Sequence, residues 1–393
     1  MNLDKNKAGT RSVWAGETTP FADGSAVVPV YNTVTFAYDD LAEWTDVALG
    51  RRDGHIYSRN TNPTVAVLEE KIRILEGAEA ATSFATGMAA ISNTLFALLA
   101  PGDRVVSIND SYGGTSRLLL EHLPRLGVDA VLCDTADHDA LERAMEGGCQ
   151  LVYLETPTNP TLKILDIERL AAAAHRAGAI VVCDNTFATP INQNPLALGA
   201  DLVVHSATKY LGGHSDVMCG LLCGRKDLIE TVFRFREITG ASLHADAAYR
   251  TIRGMKTLEL RVDRQNESAL GIARWLGGQS GVARVFHPGL EDHEGHAIAR
   301  RQMRGFGGML SFELQGDMDT VQRFTGALHL AHRAASLGSV GTLVGPPSVT
   351  SHVEMTRQQR AALGIPETLI RYSVGIENVE DLIADLEQAL KTI

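Results

Sequence analysis

Cysteine is scarce in this chain: five residues in 393, at 133, 149, 183, 219 and 223, with no C-x-x-C and no metal-finger spacing. An odd, scattered set of this kind frames neither a disulfide scaffold nor a zinc site, and it indicates a reducing compartment with unpaired thiols. Positive charge is also short. The 36 Lys and Arg stand against 47 Asp and Glu, a net charge of −11, which argues against nucleic acid as a partner. No apolar run approaches the length of a membrane span, and the start, Met1-Asn-Leu-Asp-Lys-Asn-Lys7, lacks the apolar core of a secretory signal. There is no G-x-G-x-x-G after the first expected strand, as a nicotinamide dehydrogenase would need. Internal repeats and low-complexity tracts are absent too. What is left is ordinary for a soluble globular protein, with 45% hydrophobic and 21% charged residues in a chain long enough for two or three domains. The expectation is a cytoplasmic protein that uses no metal.

Against that background one stretch stands out, Ala200-Asp-Leu-Val-Val-His-Ser-Ala-Thr-Lys-Tyr-Leu-Gly-Gly-His-Ser215. Its first half is apolar and β-branched without a helical stripe, which predicts a buried strand. Ser206, Thr208 and Lys209 follow, then the flexible pair Gly212-Gly213. A lysine just past a buried strand, flanked by hydroxyls, suits a Schiff base to an aldehyde cofactor. The amine there is desolvated enough to be nucleophilic, and the hydroxyls can hold a phosphate.

Similar segments recur. Apolar runs at 80–84, 104–108, 150–155, 179–183, 201–205 and 217–223 alternate largely with helical patterns, predicting a mainly parallel sheet covered on both faces. In such sheets the polar residues at the carboxyl ends of strands converge on one crevice. Thr86, Tyr112, Asn159, Asp184, Ser206 and Lys209 all occupy such ends. Gly87 opens the helix after the first strand, either as a tight turn or as a phosphate seat at a helix N-terminus. Asp184 ends a buried strand, either as a helix cap or as the partner of a fixed cation such as a protonated pyridine nitrogen. Tyr112, before two glycines, is either strand-end packing or a face for a planar ring. Asn159, between two prolines, either serves its turn or aims its amide at a ligand. Together these are the parts that pyridoxal phosphate requires.

These residues resemble the Cys/Met-metabolism pyridoxal-phosphate enzymes, the family of cystathionine γ-synthase, cystathionine γ-lyase and methionine γ-lyase. The resemblance runs nearly end to end, through Tyr57-Ser-Arg59, Asn62-Pro-Thr64, Thr86-Gly-Met-Ala-Ala90, Tyr112-Gly-Gly-Thr115, Glu155-Thr-Pro-Thr-Asn-Pro160, Asp184-Asn-Thr-Phe187, the lysine stretch, Arg253-Gly-Met-Lys-Thr-Leu258 and Arg371-Tyr-Ser-Val-Gly-Ile-Glu377. It implies an α/β, aminotransferase-like fold of type I, with a mainly parallel central sheet and a smaller C-terminal α+β domain. The domain boundaries it suggests are a partner-contacting arm over 1–60, a cofactor-binding domain over 61–250 and the C-terminal domain over 251–393. It also implies that Lys209 carries the cofactor and moves protons, and that Asp184 pairs with the pyridine nitrogen. Tyr112 would stack on the ring and assist proton transfer. Gly87, Met88, Ser206 and Thr208 would hold the phosphate, which Tyr57 and Arg59 would reach from a neighbouring subunit. That in turn implies a dimer with shared sites, and a tetramer built of two such dimers. Arg371 would grip the substrate α-carboxylate with Asn159 and Ser339 assisting.

The chain departs from the family at the substrate end. Within Ser336-Leu-Gly-Ser-Val-Gly-Thr-Leu343, Gly341 stands where an acid is usual, and Pro346 stands where a histidine is. In the cystathionine-cleaving members that acid helps to recognise a distal ammonium, so its loss disfavours cystathionine. Arg117 is retained, either as an exposed helix residue or as a receptor for a distal carboxylate. Gly114 takes the place of the cysteine typical of methionine γ-lyases. The expected activity is γ-elimination on a homoserine- or homocysteine-type amino acid, giving a 2-oxo acid and ammonia. Its alternatives are thiol γ-replacement and a γ-lyase with an unusual leaving group. A non-catalytic regulatory protein would more naturally have lost Lys209 or Asp184. Of the remaining features, the His287–His293 run reads as a surface loop, and Cys219 and Cys223 as packed thiols.

Overall fold

A computed structural model describes Leu3, residues 5–17, Phe21 and residues 24–393. Twelve strands occur among them. Seven lie before residue 225: β1 (Ala80–Phe84), β2 (Arg104–Ile108), β3 (Asp129–Cys133), β4 (Leu151–Glu155), β5 (Ile180–Asp184), β6 (Leu202–Ser206) and β7 (Gly220–Gly224). Five follow: β8 (Val282–Phe286), β9 (Met309–Leu314), β10 (His332–Arg333), β11 (Leu343–Gly345) and β12 (Leu369–Ser373). Residues divide by compactness into two units, 1–98 with 202–257, and 99–201 with 258–393.

In the first unit, β7 pairs antiparallel with both β1 and β6. The connection from β6 to β7 carries no helix, so there is no crossover to bring β7 in parallel. The helix Pro63–Glu76 carries an i, i+3, i+4 apolar stripe, with Val65, Leu68, Ile72 and Leu75 buried. Asn62 caps it by accepting from the Thr64 N–H, Pro63 fills its first turn, and Gly77 ends it at φ 71°. Residues 1–60, expected to be an extended arm, carry short helices at Ala8–Trp14 and Leu41–Ala48. Glu17 anchors this segment in a buried ion-pair group, 3.1 Å from Lys71 Nζ and 2.6 Å from Lys256 Nζ.

In the second unit, β2, β3, β4 and β5 form a parallel ladder with β2 between β3 and β4, and β4 beside β5. The helices His138–Met145 and Ile167–Arg176 bury Leu141, Met145, Ile167 and Leu170 in the core beneath it. A separate five-stranded sheet in the order β10-β11-β12-β9-β8 packs with the helices Leu258–Leu276 and Val379–Leu390 around Leu310, Phe312, Phe324, Ile370 and Leu386.

The amphipathic pattern over about 245–276 reads as one long helix, yet the structure has two, Ala245–Met255 and Leu258–Leu276. Between them the Thr257 N–H and hydroxyl both donate to the Gly254 carbonyl at 3.3 Å, which tightens the last turn and ends the first helix. The histidine segment also differs from its expectation. His287 is fully buried, accepts from the Gly289 N–H and makes a second bond to the Gly307 carbonyl. Cys219 and Cys223 are free and buried, and burial pushes the Cys219 thiol up to about 12.

Candidate active site

The sequence-predicted residues fall in both units, and each group has its own geometry. In the first unit, β1 delivers the chain to Thr86 and to the helix Gly87–Leu98. The Thr86 carbonyl accepts the first bond of that helix, from Ala90 N–H, and its hydroxyl accepts from Ala89 N–H. The Gly87 and Met88 N–H groups precede that bond, at the positive end of the helix dipole. A Cβ on Gly87 would lie 2.7 Å from Ser206 Cβ and 2.8 Å from Ser206 Oγ. Glycine therefore keeps the helix start bare against the end of β6. Beyond Ser206, the Thr208 hydroxyl exchanges hydrogen bonds with the Cys219 backbone, at 3.0 and 3.3 Å. The Lys209 N–H donates to the Ser206 carbonyl at 3.0 Å. Ser206, Thr208 and Lys209 are all half-buried.

Tyr57 and Arg59 belong to this unit as well. The Tyr57 ring is 42% exposed, Arg59 lies 5.6 Å over it, and Arg59 Nη1 donates to the Glu237 carbonyl.

In the second unit, Glu155 and Asp184 close β4 and β5 and stand opposite each other in the parallel register. Asp184 is buried. It accepts from the Tyr153 hydroxyl at 3.1 Å and from the Thr186 N–H at 2.9 Å. Tyr112 keeps its ring exposed while its N–H donates to Glu155 Oε2 at 2.8 Å. Burial and the neighbouring Asp184 and Glu155 push the Tyr153 phenol well above its usual range, so it stays a donor.

Asn159 and Arg371 also meet here. Arg371 sits on β12 opposite Ser311 of β9 and Gly345 of β11. Its Nη1 donates to Asn159 Oδ1 and its Nη2 to the Ser336 carbonyl, both at 3.0 Å. Ser339 is buried nearby in sequence, but its carbonyl accepts from Gln265 Nε2 at 2.9 Å and no bond to Arg371 is formed by it. Arg117 is exposed and paired, 3.3 Å from Glu121 and 3.0 Å from Glu354. A Cβ at Gly341 would meet no atom within 4 Å.

Four residues near these groups escaped the sequence reading. Tyr153 and Glu155 share one face of β4, and the signal for Glu155 was available: an acid closing an all-apolar strand, as Asp184 does next door. Ser336 adopts φ 97°, a left-handed conformation uncommon outside glycine, and no local pattern announces it. His352 is buried and bonded to the Ser351 hydroxyl at 2.9 Å, and burial with the Arg371 and Arg360 charges pushes it down to about 4.

The donors fit pyridoxal phosphate. The bare Gly87 cradle with two hydroxyls suits a phosphate, Lys209 suits an aldehyde, and a buried, hydrogen-bonded Asp184 suits a pyridinium. None of the predicted residues lines a cavity of about 840 Å³ in the second unit, bordered by His138, Lys163, Arg274, Arg284 and His293. Among the described residues no cluster of His, Cys, Asp and Glu is arranged to hold a metal ion.

Comparison with known proteins bears on all of this. Residues 9–391 match the family described as Cys/Met metabolism PLP-dependent enzyme. The chain is 44% identical to an L-methionine gamma-lyase of Fusobacterium nucleatum subsp. polymorphum over the whole of both chains. It is 42% identical to the chloroplastic cystathionine gamma-synthase 1 of Nicotiana tabacum, covering 99% of this chain and 72% of that one. A solved cystathionine gamma synthase from Xanthomonas oryzae pv. oryzae, in complex with aminoacrylate and cysteine, superposes with a TM-score of 0.93 at 38% identity over 98% of each chain. The fold is that of these enzymes, a mostly parallel sheet with helices and a second, smaller sheet. The chain belongs to the Cys/Met metabolism PLP-dependent enzymes, with pyridoxal phosphate as its cofactor.

Proposed function

We propose that this enzyme eliminates an uncharged γ-substituent from an L-amino acid of the homoserine or homocysteine type, releasing a 2-oxo acid and ammonia. The observation that carries this reading is the lack of free charge around the substrate end. Gly341 leaves open space where cystathionine-cleaving relatives carry an acid, and Arg117 is already paired with Glu121 and Glu354. A leaving group bearing an ammonium finds no acid at position 341, and one bearing a carboxylate finds Arg117 already paired with two acids. The 44% identity to an L-methionine gamma-lyase supports an uncharged thioether substrate.

Bound pyridoxal phosphate supplies the electron sink that makes the Cα proton removable. The protein's own residues do the rest. Lys209 binds the cofactor aldehyde and moves protons at Cα and Cβ through Nζ. Asp184 would keep the pyridine nitrogen protonated, and Tyr112 would stack on the ring and assist proton transfer. The N–H groups of Gly87 and Met88, with the Ser206 and Thr208 hydroxyls, hold the phosphate. Arg371, already aimed by Asn159 and the Ser336 carbonyl, receives the substrate α-carboxylate in a two-pronged contact. Ser339 assists from the same segment. Tyr57 and Arg59 serve the phosphate of a partner subunit in a dimer, two of which form a tetramer. The organisation proposed is an arm over 1–60, a cofactor-binding domain over 61–250 and a C-terminal domain over 251–393, and the compartment proposed is the cytoplasm. No helix among the described residues is long and apolar enough to cross a membrane.

Thiol γ-replacement is the second reading. Gly114 favours it, because methionine γ-lyases typically carry cysteine there, as does the 42% identity to a cystathionine gamma-synthase.

Mass spectrometry of products from methionine, homocysteine, cystathionine and the acetyl and succinyl esters of homoserine, each with and without cysteine, separates the readings. 2-Oxobutanoate and ammonia formed from methionine or the acetyl ester without added thiol support elimination. A thioether formed only when cysteine is present establishes replacement instead.

A further inference from the structure

Glu155 is 5% exposed, and among the described residues no basic side chain pairs with it. The nearby lysine, Lys163, is committed to Asp110, 3.0 Å from its Oδ2. Yet Glu155 stands beside three residues of the second unit's site. Its Oε2 accepts from the Tyr112 N–H at 2.8 Å, it accepts from the Asn159 backbone N–H as well, and it stands opposite Asp184 in the β4–β5 register. Tyr112, Asn159 and Asp184 lie on three different segments, so one carboxyl relates all three.

We infer that Glu155 is a positioning residue of the active site, a buried acid that fixes the Tyr112 and Asn159 backbones beside Asp184 while leaving the local negative charge to Asp184. The inference rests on the pyridoxal-phosphate reading of the site. A buried carboxyl that has no basic partner ionises only at high cost beside a second carboxyl. Burial first, then Asp184, with Asp110 adding to them, pushes Glu155 well above the usual carboxylate range, against the two backbone N–H bonds that favour its charge. Of the titratable groups around it, Asp184 takes hydrogen bonds from Tyr153 and Thr186, Tyr153 remains a neutral donor, and Asp110 is paired with Lys163. A neutral acid still accepts the Tyr112 N–H through its carbonyl oxygen. It therefore holds the ring stacker without drawing positive charge away from Asp184.

The test compares E155Q, E155D and E155A in the full-length enzyme, with thermal unfolding to establish that each is folded. The readouts are cofactor affinity from the visible absorbance of the bound cofactor, kcat and KM, and the pH profile of kcat. Glutamine reproduces the neutral acid, with one accepting oxygen and no charge. Aspartate keeps the acid but withdraws it from the Tyr112 N–H. Leaving that N–H and the buried Asn159 N–H without their acceptor weakens cofactor binding by about tenfold or more in E155D and E155A. E155Q restores the affinity to within about threefold and kcat to within about tenfold of wild type. The acid limb of its pH profile stays where it is in the wild type, because a group neutral throughout contributes no titration there. Three results overturn the inference: E155D and E155A that bind cofactor as tightly as wild type, a folded E155Q as weak as E155D, or an acid limb displaced in E155Q. Failure of the underlying reading is separate, since then the wild-type protein itself takes up no pyridoxal phosphate.

Discussion

Position 341 has room for the acid it lacks. A Cβ built there meets nothing within 4 Å, so Gly341→Glu adds a carboxylate without displacing a neighbour. The bonds of Arg371 to Asn159 Oδ1 and to the Ser336 carbonyl do not use residue 341. A charge-assisted hydrogen bond to a distal ammonium contributes about 1.5–3 kcal/mol, so kcat/KM for cystathionine relative to methionine is expected to rise at least about tenfold in G341E. The ratio is measured with both substrates on one preparation. An unchanged ratio removes residue 341 from substrate selection.

The helix Gly87–Leu98 depends on its first residue in the same local way. Gly87→Ala puts a methyl group 2.7 Å from Ser206 Cβ, closer than side chains pack, so the helix start or the end of β6 must move. Pyridoxal-phosphate affinity is expected to fall about tenfold or more, with the helix itself slightly favoured by alanine. Equal affinity in G87A would place the phosphate elsewhere. Most of this element-level arrangement was legible beforehand, because buried strands have a plain apolar signature and their last residues are where chemistry collects. β3 and β8 were missed, as half-exposed strands with mixed composition. The break at Thr257 was missed because both flanking segments keep one amphipathic period through it. His287, at the end of β8, was read as surface from its Pro-Gly context, whereas the fold encloses it. Burial pushes it down from 6.5 to about 4. The folded state thus binds its proton only near pH 4, while the unfolded chain binds it near pH 6.5. The resulting stabilisation is complete above that range and is lost as pH falls through it, by about 3 kcal/mol for this site. The urea midpoint should drop between about pH 7 and about pH 4.5, and drop less in H287Q.

At the scale of the whole molecule, the single chain leaves a site residue without a role of its own. Tyr57 is 42% exposed and Arg59 lies against its ring, both in the first unit, where they bond to the backbone at Glu237 and pair with Thr35 rather than with the Gly87 cradle. If they complete the phosphate site of a partner, two inactive variants can repair one another. K209A lacks the reactive lysine but retains Arg59, and R59A has the reverse defect. In a mixed dimer one site receives both defects and the other receives neither. Mixing equal amounts under conditions that exchange subunits makes half of the dimers mixed. Activity should therefore recover to about a quarter of wild type, as expected for two equivalent sites related by twofold symmetry. R59A alone should keep only a small part of wild-type activity, with the loss expressed as weaker cofactor binding. Activity of the mixture that never exceeds the average of the two variants, while subunit exchange is verified by mass spectrometry, would mean that each subunit builds its site alone.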